Sequence, residues 1–272
     1  MVNVVGPDGQ FVWPWFRESL DAARAQVRGH ALLVQGAPGD GAWDFGLALA
    51  MAQLCEAPAG ARQPCGHCGA CSLVLAGSHP DFHALVPQDV ALQRGMPVQV
   101  DERRKPSRQI RIDEVRKAID DCTSTSGRGR GRAVIIFPGE AMNAIAASAW
   151  LKTLEEPPPG TRIVLCAAEP ARLLPTIRSR CQRWVLPRVP AEAAAAWLQA
   201  QGVEGAEVLL AACAGRPLDA LAMHQSGLDA ALWLSLPDRV AQGDGGALAG
   251  ATAPVLLETV AKLCHDAMSV AA

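Results

Sequence analysis

The chain has 272 residues, half of them apolar, which is enough to bury the cores of two domains. Its 25 Lys and Arg against 27 Asp and Glu give a formal charge of −2, which excludes a general attraction to nucleic acid and leaves any role on DNA local or borrowed from partners. No run approaches the roughly 18 to 20 apolar residues of a membrane span, and residues 1–15 carry Asp8 and no basic cluster of the secretory kind, so a cytoplasmic chain with no membrane association is expected.

Strand and helix signals alternate, the pattern of a parallel α/β sheet. Residues 30–35 read as a short buried strand that runs into a glycine loop, 36–41, and 43–54 carry a helical pattern. A cysteine-rich insert follows, then a strand at 81–86. Residues 87–109 are polar and irregular, with Arg103, Arg104, Lys105 and Pro106 in succession, and predict a solvated loop. Ile112, Val115 and Ile119 sit at three- and four-residue spacing in a helix at 110–119. Glycine and arginine alternate over 127–132, which predicts a flexible turn, with a phosphate contact as the alternative. A strand at 133–137 and a helix at 143–155 come next, the helix stopped by Pro157, Pro158 and Pro159. Residues 162–167 form another apolar strand. Pro187, Val189 and Pro190 mark a boundary within 184–190, and beyond it lie helical patterns at 191–201, 206–214, 217–225, 229–241 and 255–268. The chain stops soon after the last of these, which predicts a final domain cut short.

The loop after the first strand has the context of a phosphate-binding loop, strand before and helix after, with glycines at the right spacing, Gly36 and Gly41. Two positions contradict that use. Ala42 stands where a lysine should meet the β- and γ-phosphates, and Trp43 where a hydroxyl should hold magnesium. The strand at 133–137 runs into Phe137, Pro138 and Gly139 rather than acidic residues, and Glu140 lies too far along to substitute. Two halves of an ATP site are missing together. No ATP is expected in this loop, and no hydrolysis.

Four of the nine cysteines cluster: Cys65, Cys68 and Cys71 form two overlapping Cys-x-x-Cys units, and Cys55 lies ten residues upstream. Four thiolates with interleaved glycines suit tetrahedral zinc in a closed, structural site. An iron–sulfur cluster is the rival, but the ferredoxin run would place a cysteine where Leu75 stands. His67 is expected to be an exposed neighbour, with replacement of one thiolate as its alternative. Cys122, Cys166, Cys213 and Cys264 sit among apolar residues and read as buried packing thiols.

Residues 151–158, Leu-Lys-Thr-Leu-Glu-Glu-Pro-Pro, and the run from Glu169 through Arg178 into Ser179, Arg180 and Cys181 resemble the clamp-loader subunits of the AAA+ class. Trp13, Pro14, Trp15 and the stretch 29–33 add weaker support, and the likeness covers about residues 13 to 222. Within that family Ala42, Trp43, Phe137 and Pro138 place the chain with the delta-prime branch of bacterial DNA polymerase III, whose members do not hydrolyse ATP. Ala167 and Leu218 stand where the family's ATPases carry a polar sensor and a sensing arginine.

The resemblance implies a RecA-like AAA+ P-loop domain at 1–186 with a zinc module at 55–71, a helical lid at 187–228, and the start of a helical collar domain from 229 to 272. It implies a hetero-pentamer with gamma/tau motor subunits and a delta subunit, which opens a sliding clamp and places it on primed DNA. Membership of the polymerase holoenzyme does not make this chain a polymerase. Arg180 is implied to be an arginine finger acting in trans on the γ-phosphate held by a neighbouring motor, where a guanidinium stabilises charge on the equatorial oxygens. Its alternative is to pair with a carboxylate at a helix end. Ser179 and Cys181 are positioning and packing residues, and Lys152, Thr153, Glu155 and Glu156 are expected to pack the neighbour. Rival readings are an active AAA+ ATPase and a zinc-dependent nucleic-acid module with a basic face at Arg128, Arg130 and Arg132.

Overall fold

The computed structural model describes residues 4–6, 10–37, 39–58, 60–99, 105–244, 246, 257 and 259–264. It divides into two compact units, Met1–Pro187 and Arg188–Ala272. In the first, chain order runs α1 Phe16–Gln26, β1 Ala31–Gln35, α2 Ala42–Leu54, α3 Gly69–Leu75, β2 Phe82–Leu85, α4 Gln88–Gln93 and α5 Ile112–Thr123. It continues with β3 Arg132–Ile136, α6 Ala144–Glu155, β4 Thr161–Ala167, α7 Pro175–Arg178 and β5 Gln182–Val185.

The five strands are parallel, in the order β2-β3-β4-β1-β5. Strands β1, β3 and β4 read as near-continuous apolar runs because both faces of a parallel sheet are covered. Alternate residues serve opposite faces. Leu33, Val134, Ile136, Ile163 and Leu165 meet Val115 of α5, Trp150 of α6 and Ile177 of α7 in one core. The other face carries α2, twelve of whose thirteen residues are buried, over β3 and β4. This is the α/β, RecA-like arrangement of the AAA+ class that the resemblance implies.

Gly46 sets how closely α2 approaches the sheet. A Cβ there would lie 2.6 Å from Cys166 Sγ and 3.0 Å from Ile135 Cδ1. Gly46→Ala is therefore expected to lower stability by about 1–3 kcal/mol through overpacking, despite alanine's better helix propensity. Urea unfolding midpoints of the two proteins check this.

Local chemistry fixes the other helices. Asn143 Oδ1 accepts from the Ala146 N–H at 2.9 Å and caps α6, which ends before the three prolines. In α5, Val115, Ala118 and Cys122 face inward while its charged residues face out.

Four elements depart from the sequence reading. Helix α1 buries Phe16, Leu20 and Ala23. Helix α3 lies inside the cysteine insert, and α4 lies in the stretch expected to be loop. Strand β5 occupies the start of the expected boundary. It is an edge strand paired only with β1, and three of its four residues are exposed, so no apolar run announces it. Arg103 and Arg104 lie outside the described residues.

The second unit contains α8 Ala191–Ala200, α9 Ala206–Ala212, α10 Pro217–Gln225 and α11 Ala230–Ala241, with residues 257 and 259–264 also helical. Helix α9 packs against α8, α10 and α11, and its Leu209, Leu210 and Ala212 are buried. Much of the helix expected at 255–268 lies outside the described residues. Cys213 is buried here, but Cys264 is exposed, which corrects its reading as a packing thiol. Among the described residues no helix is long and apolar enough to cross a membrane.

Candidate functional site

Open α/β sheets bind ligands at the carboxyl ends of their strands, and the loop 36–41 leaves β1 at that edge. The Gly36 N–H donates to Ala167 O at 3.3 Å, which holds the loop beside the end of β4. Inside the loop the Asp40 carboxylate accepts from the Ala37 N–H at 2.8 Å, so a main-chain donor of the kind that cradles phosphate is turned onto the loop's own acid.

Trp43, in the first turn of α2, and Phe137, just past β3, bring their rings to 5.5 Å between centroids. The Arg94 guanidinium lies over both, 5.1 Å from the Trp43 ring and 5.0 Å from the Phe137 ring. Thus a cation stacks on two aromatics at the start of α2 and the end of β3. Arg94 caps α4 within the expected solvated loop, and the sequence reading missed it. No periodicity marks it.

Beneath this stack Asp44 is buried, and its carboxyl is pushed up to about 6. Burial is the larger cause, opposed by the Arg94 charge, its own backbone N–H and a hydrogen bond from the Trp13 side chain. The folded chain holds this proton more tightly than the unfolded one, whose value is near 3.8. Stability contributed at this position therefore rises as pH falls from about 7 through 6 and levels off below about 4, a change of about 3 kcal/mol. The pH dependence of the urea midpoint, taken as wild type minus Asp44→Asn, is expected to show that rise.

Arg180 follows α7. Its Nε donates to Glu155 Oε1 at 2.8 Å and its Nη2 donates to the same oxygen, while Nη1 donates to Thr176 O at 2.8 Å. The pairing with a carboxylate at a helix end, offered as the alternative for this arginine, is thus the contact present in the chain by itself. Ser179 Oγ lies 3.4 Å from Nη1 and donates to Thr176 O at 3.1 Å. Cys181 is buried, and its thiol is pushed up to about 11 by that burial. Thr153 is buried in its own chain, so it does not face a neighbour as expected.

Cys55, Cys65, Cys68 and Cys71 come together, all four Sγ atoms within 4.8 Å of one another. Cys55 Sγ and Cys68 Sγ are 3.9 Å apart. A tetrahedron with metal–sulfur bonds of about 2.3 Å has edges of about 3.8 Å, so the donor set fits a thiolate-bound ion. Cys55 ends α2, Cys68 caps α3, and Cys71 lies in its first turn. Gly66, at φ 80°, makes the turn between the first two ligands of the Cys-x-x-Cys unit, and a Cβ there would lie 2.3 Å from Gly6 O.

The N–H groups of Glu56 and Cys71 donate to Cys68 Sγ at 3.4 and 3.5 Å. Although burial opposes ionisation, these bonds and the neighbouring thiols bring the Cys68 pKa down to about 7. Burial pushes the Cys55 and Cys71 thiols up. His67 stays exposed, with Nδ1 2.9 Å from Cys65 O, and is not one of the four clustered ligands.

The glycine–arginine stretch is tied down rather than free. The Asp81 carboxylate accepts from the N–H groups of Gly127 and Arg128 at 2.8 and 2.9 Å. Arg128 Nε donates to Glu56 Oε1 at 2.7 Å, and Glu56 Oε2 accepts from the Ala70 N–H, so the cysteine module and this turn are clamped together. Arg132 is buried on Cys122 O. Two of the three arginines of the basic face are thereby taken, which argues against the nucleic-acid module.

A sequence model of the family described as DNA polymerase III, delta subunit, matches residues 13–190. The DNA polymerase III subunit delta' of Pseudomonas aeruginosa is 38% identical over 223 residues, 80% of this chain and 62% of that one. Its counterpart from Escherichia coli K12 is 35% identical over 270 residues, 94% of this chain and 76% of that one. The chain thus spans between three fifths and about three quarters of the length of these relatives. A solved structure of a DNA polymerase III gamma subunit-related protein from Thermotoga maritima overlays with a TM-score of 0.49 at 19% identity, over 86% of this chain and 77% of that one. With residues 13–190 inside that model and these two relatives above 30% identity, the chain belongs to the family of DNA polymerase III delta-prime subunits.

Proposed function

We propose that this chain is the non-hydrolysing stator of a DNA polymerase III clamp loader. It joins gamma/tau motor subunits and a delta subunit in a cytoplasmic five-membered ring that opens a sliding clamp and sets it on primed DNA. Arg180 serves the ATP site of a neighbouring motor. Residues 1–186 form the AAA+ domain, 187–228 the lid and 229–272 the start of the collar. The four cysteines hold zinc, which ties the end of α2 to α3 and supplies structure rather than chemistry.

The observation that carries this reading is the stack of Arg94 on Trp43 and Phe137. Magnesium triphosphate needs a lysine, a hydroxyl and a carboxylate around it. Here two rings and a fixed guanidinium stand among those positions, and the loop's own Asp40 takes one phosphate-type donor. Family membership supports the clamp-loader role.

Isolated chain titrated with magnesium ATP up to about 1 mM, the upper end of ordinary KM values, is expected to show no saturable binding and no turnover. Co-purification with gamma/tau and delta subunits should yield a complex with DNA-stimulated ATPase. Turnover by the isolated chain would overturn the reading.

A further inference from the structure

We propose that Glu155 is a positioning residue for Arg180, holding the guanidinium in the pose in which a neighbouring subunit's ATP meets it. The proposal rests on the reading of Arg180 as a finger acting in trans.

Two main-chain-anchored groups converge on this one side chain. Glu155 is the last residue of α6, and Thr176 O belongs to α7. Helix α6 is fixed at that end, because His30 Nε2 at the start of β1 lies 2.6 Å from Leu154 O. Glu155 takes the Nε edge through one oxygen, and Thr176 O takes Nη1 from the other side. With the 3.4 Å contact from Nη1 to Ser179 Oγ, four of the five guanidinium donors have partners, and the second Nη2 hydrogen is left for a ligand while the side chain stays 32% exposed.

An ion pair this open contributes little to folding, so stability alone is a poor reason for the arrangement. Its effect on orientation is larger. A free arginine samples many rotamers and must lose them when a phosphate arrives, whereas one held at both edges of its plane has lost them already. Partners that orient metal-binding side chains through a hydrogen bond cost about 10- to 100-fold in activity when removed, and an effect of the same order is expected for Glu155.

The test is a double-mutant cycle in the reconstituted complex of this chain with its motor and delta subunits, using primed DNA and the clamp. Arg180→Ala defines the share of DNA-stimulated ATPase that depends on the finger. Glu155→Ala is expected to remove about nine tenths of that share, with KM for ATP unchanged, and to have no further effect when added to Arg180→Ala. Glu155→Gln, which keeps an acceptor oxygen, is expected to restore part of the loss. Turnover at or above the wild-type level in Glu155→Ala would overturn the proposal. So would a loss that persists in the Arg180→Ala background, or failure of the Glu155 variants to co-elute with their partners, since either would mean that Glu155 serves the interface instead. If Arg180→Ala itself leaves turnover unchanged, the finger reading falls, a result distinguishable from failure of Glu155 alone.

Discussion

Arg180→Ala is expected to leave this chain folded and able to assemble, while turnover at the one ATP site facing it drops by roughly 10³-fold or more, the range that arginine fingers contribute elsewhere. The fold survives because Arg180 is a partly exposed residue whose bonds go to an exposed carboxylate, one carbonyl and the Ser179 hydroxyl. Such pairs contribute between nothing and about 1 kcal/mol. Loss at one site of several appears as removal of a fixed share of steady-state ATPase, with a larger defect in clamp loading if every site must fire. Lysine at this position should rescue little. It supplies charge but not the planar guanidinium that Glu155 and Thr176 O hold at its two edges. Pre-steady-state phosphate release from the reconstituted complex, with and without Arg180, measures the effect directly.

Removal of metal is the second large effect. The four Sγ atoms lie within 4.8 Å of one another, and a structural zinc held there would contribute on the order of 10 kcal/mol to the segment it orders. Chelation, or Cys71→Ser at the buried ligand in α3, is expected to open residues 55–71 to protease. It should also loosen the Glu56–Arg128 clamp and with it the turn at 126–131. The purified protein should be colourless with one equivalent of zinc, and visible absorbance from an iron–sulfur centre would contradict that. Acid should act in the same direction as chelator. Burial pushes the Cys55 and Cys71 thiols up, so binding must expel their protons, and affinity falls as pH falls. Elemental analysis and limited proteolysis across pH 6 to 8 read both outcomes.

How much of this was visible in the sequence depended on whether a residue's role was local. Strands β1, β3 and β4 carry their burial in their own composition, so their runs of leucine, valine and isoleucine were enough. The clustering of the four cysteines showed in their spacing, because a Cys-x-x-Cys turn brings its two thiols together by itself. Strand β5 did not show, since the pairing that defines it belongs to the β1 backbone rather than to its own exposed side chains. Arg94 was hidden for a related reason. Its partners lie 51 residues before it, at Trp43, and 43 residues after it, at Phe137, and nothing adjacent to it signals an inward course. The loss of the lysine and the acid was legible. What filled the space was not.

Glu155 stood in a motif that the sequence had already singled out, but its use did not follow from position. Whether a carboxylate at the end of α6 meets a guanidinium beyond α7 is decided by where the two helices end.

The strand order also governs how the chain comes off the ribosome. Interior strand β1 is translated first, yet its two partners, β4 and β5, emerge about 130 and 150 residues later. At about 5 to 20 residues per second, that leaves Leu32, Leu33 and Val34 without their sheet for roughly 7 to 30 s. During that interval the nascent chain presents an oily edge with nothing to close it. The sheet can be completed only once the last strand has left the exit tunnel.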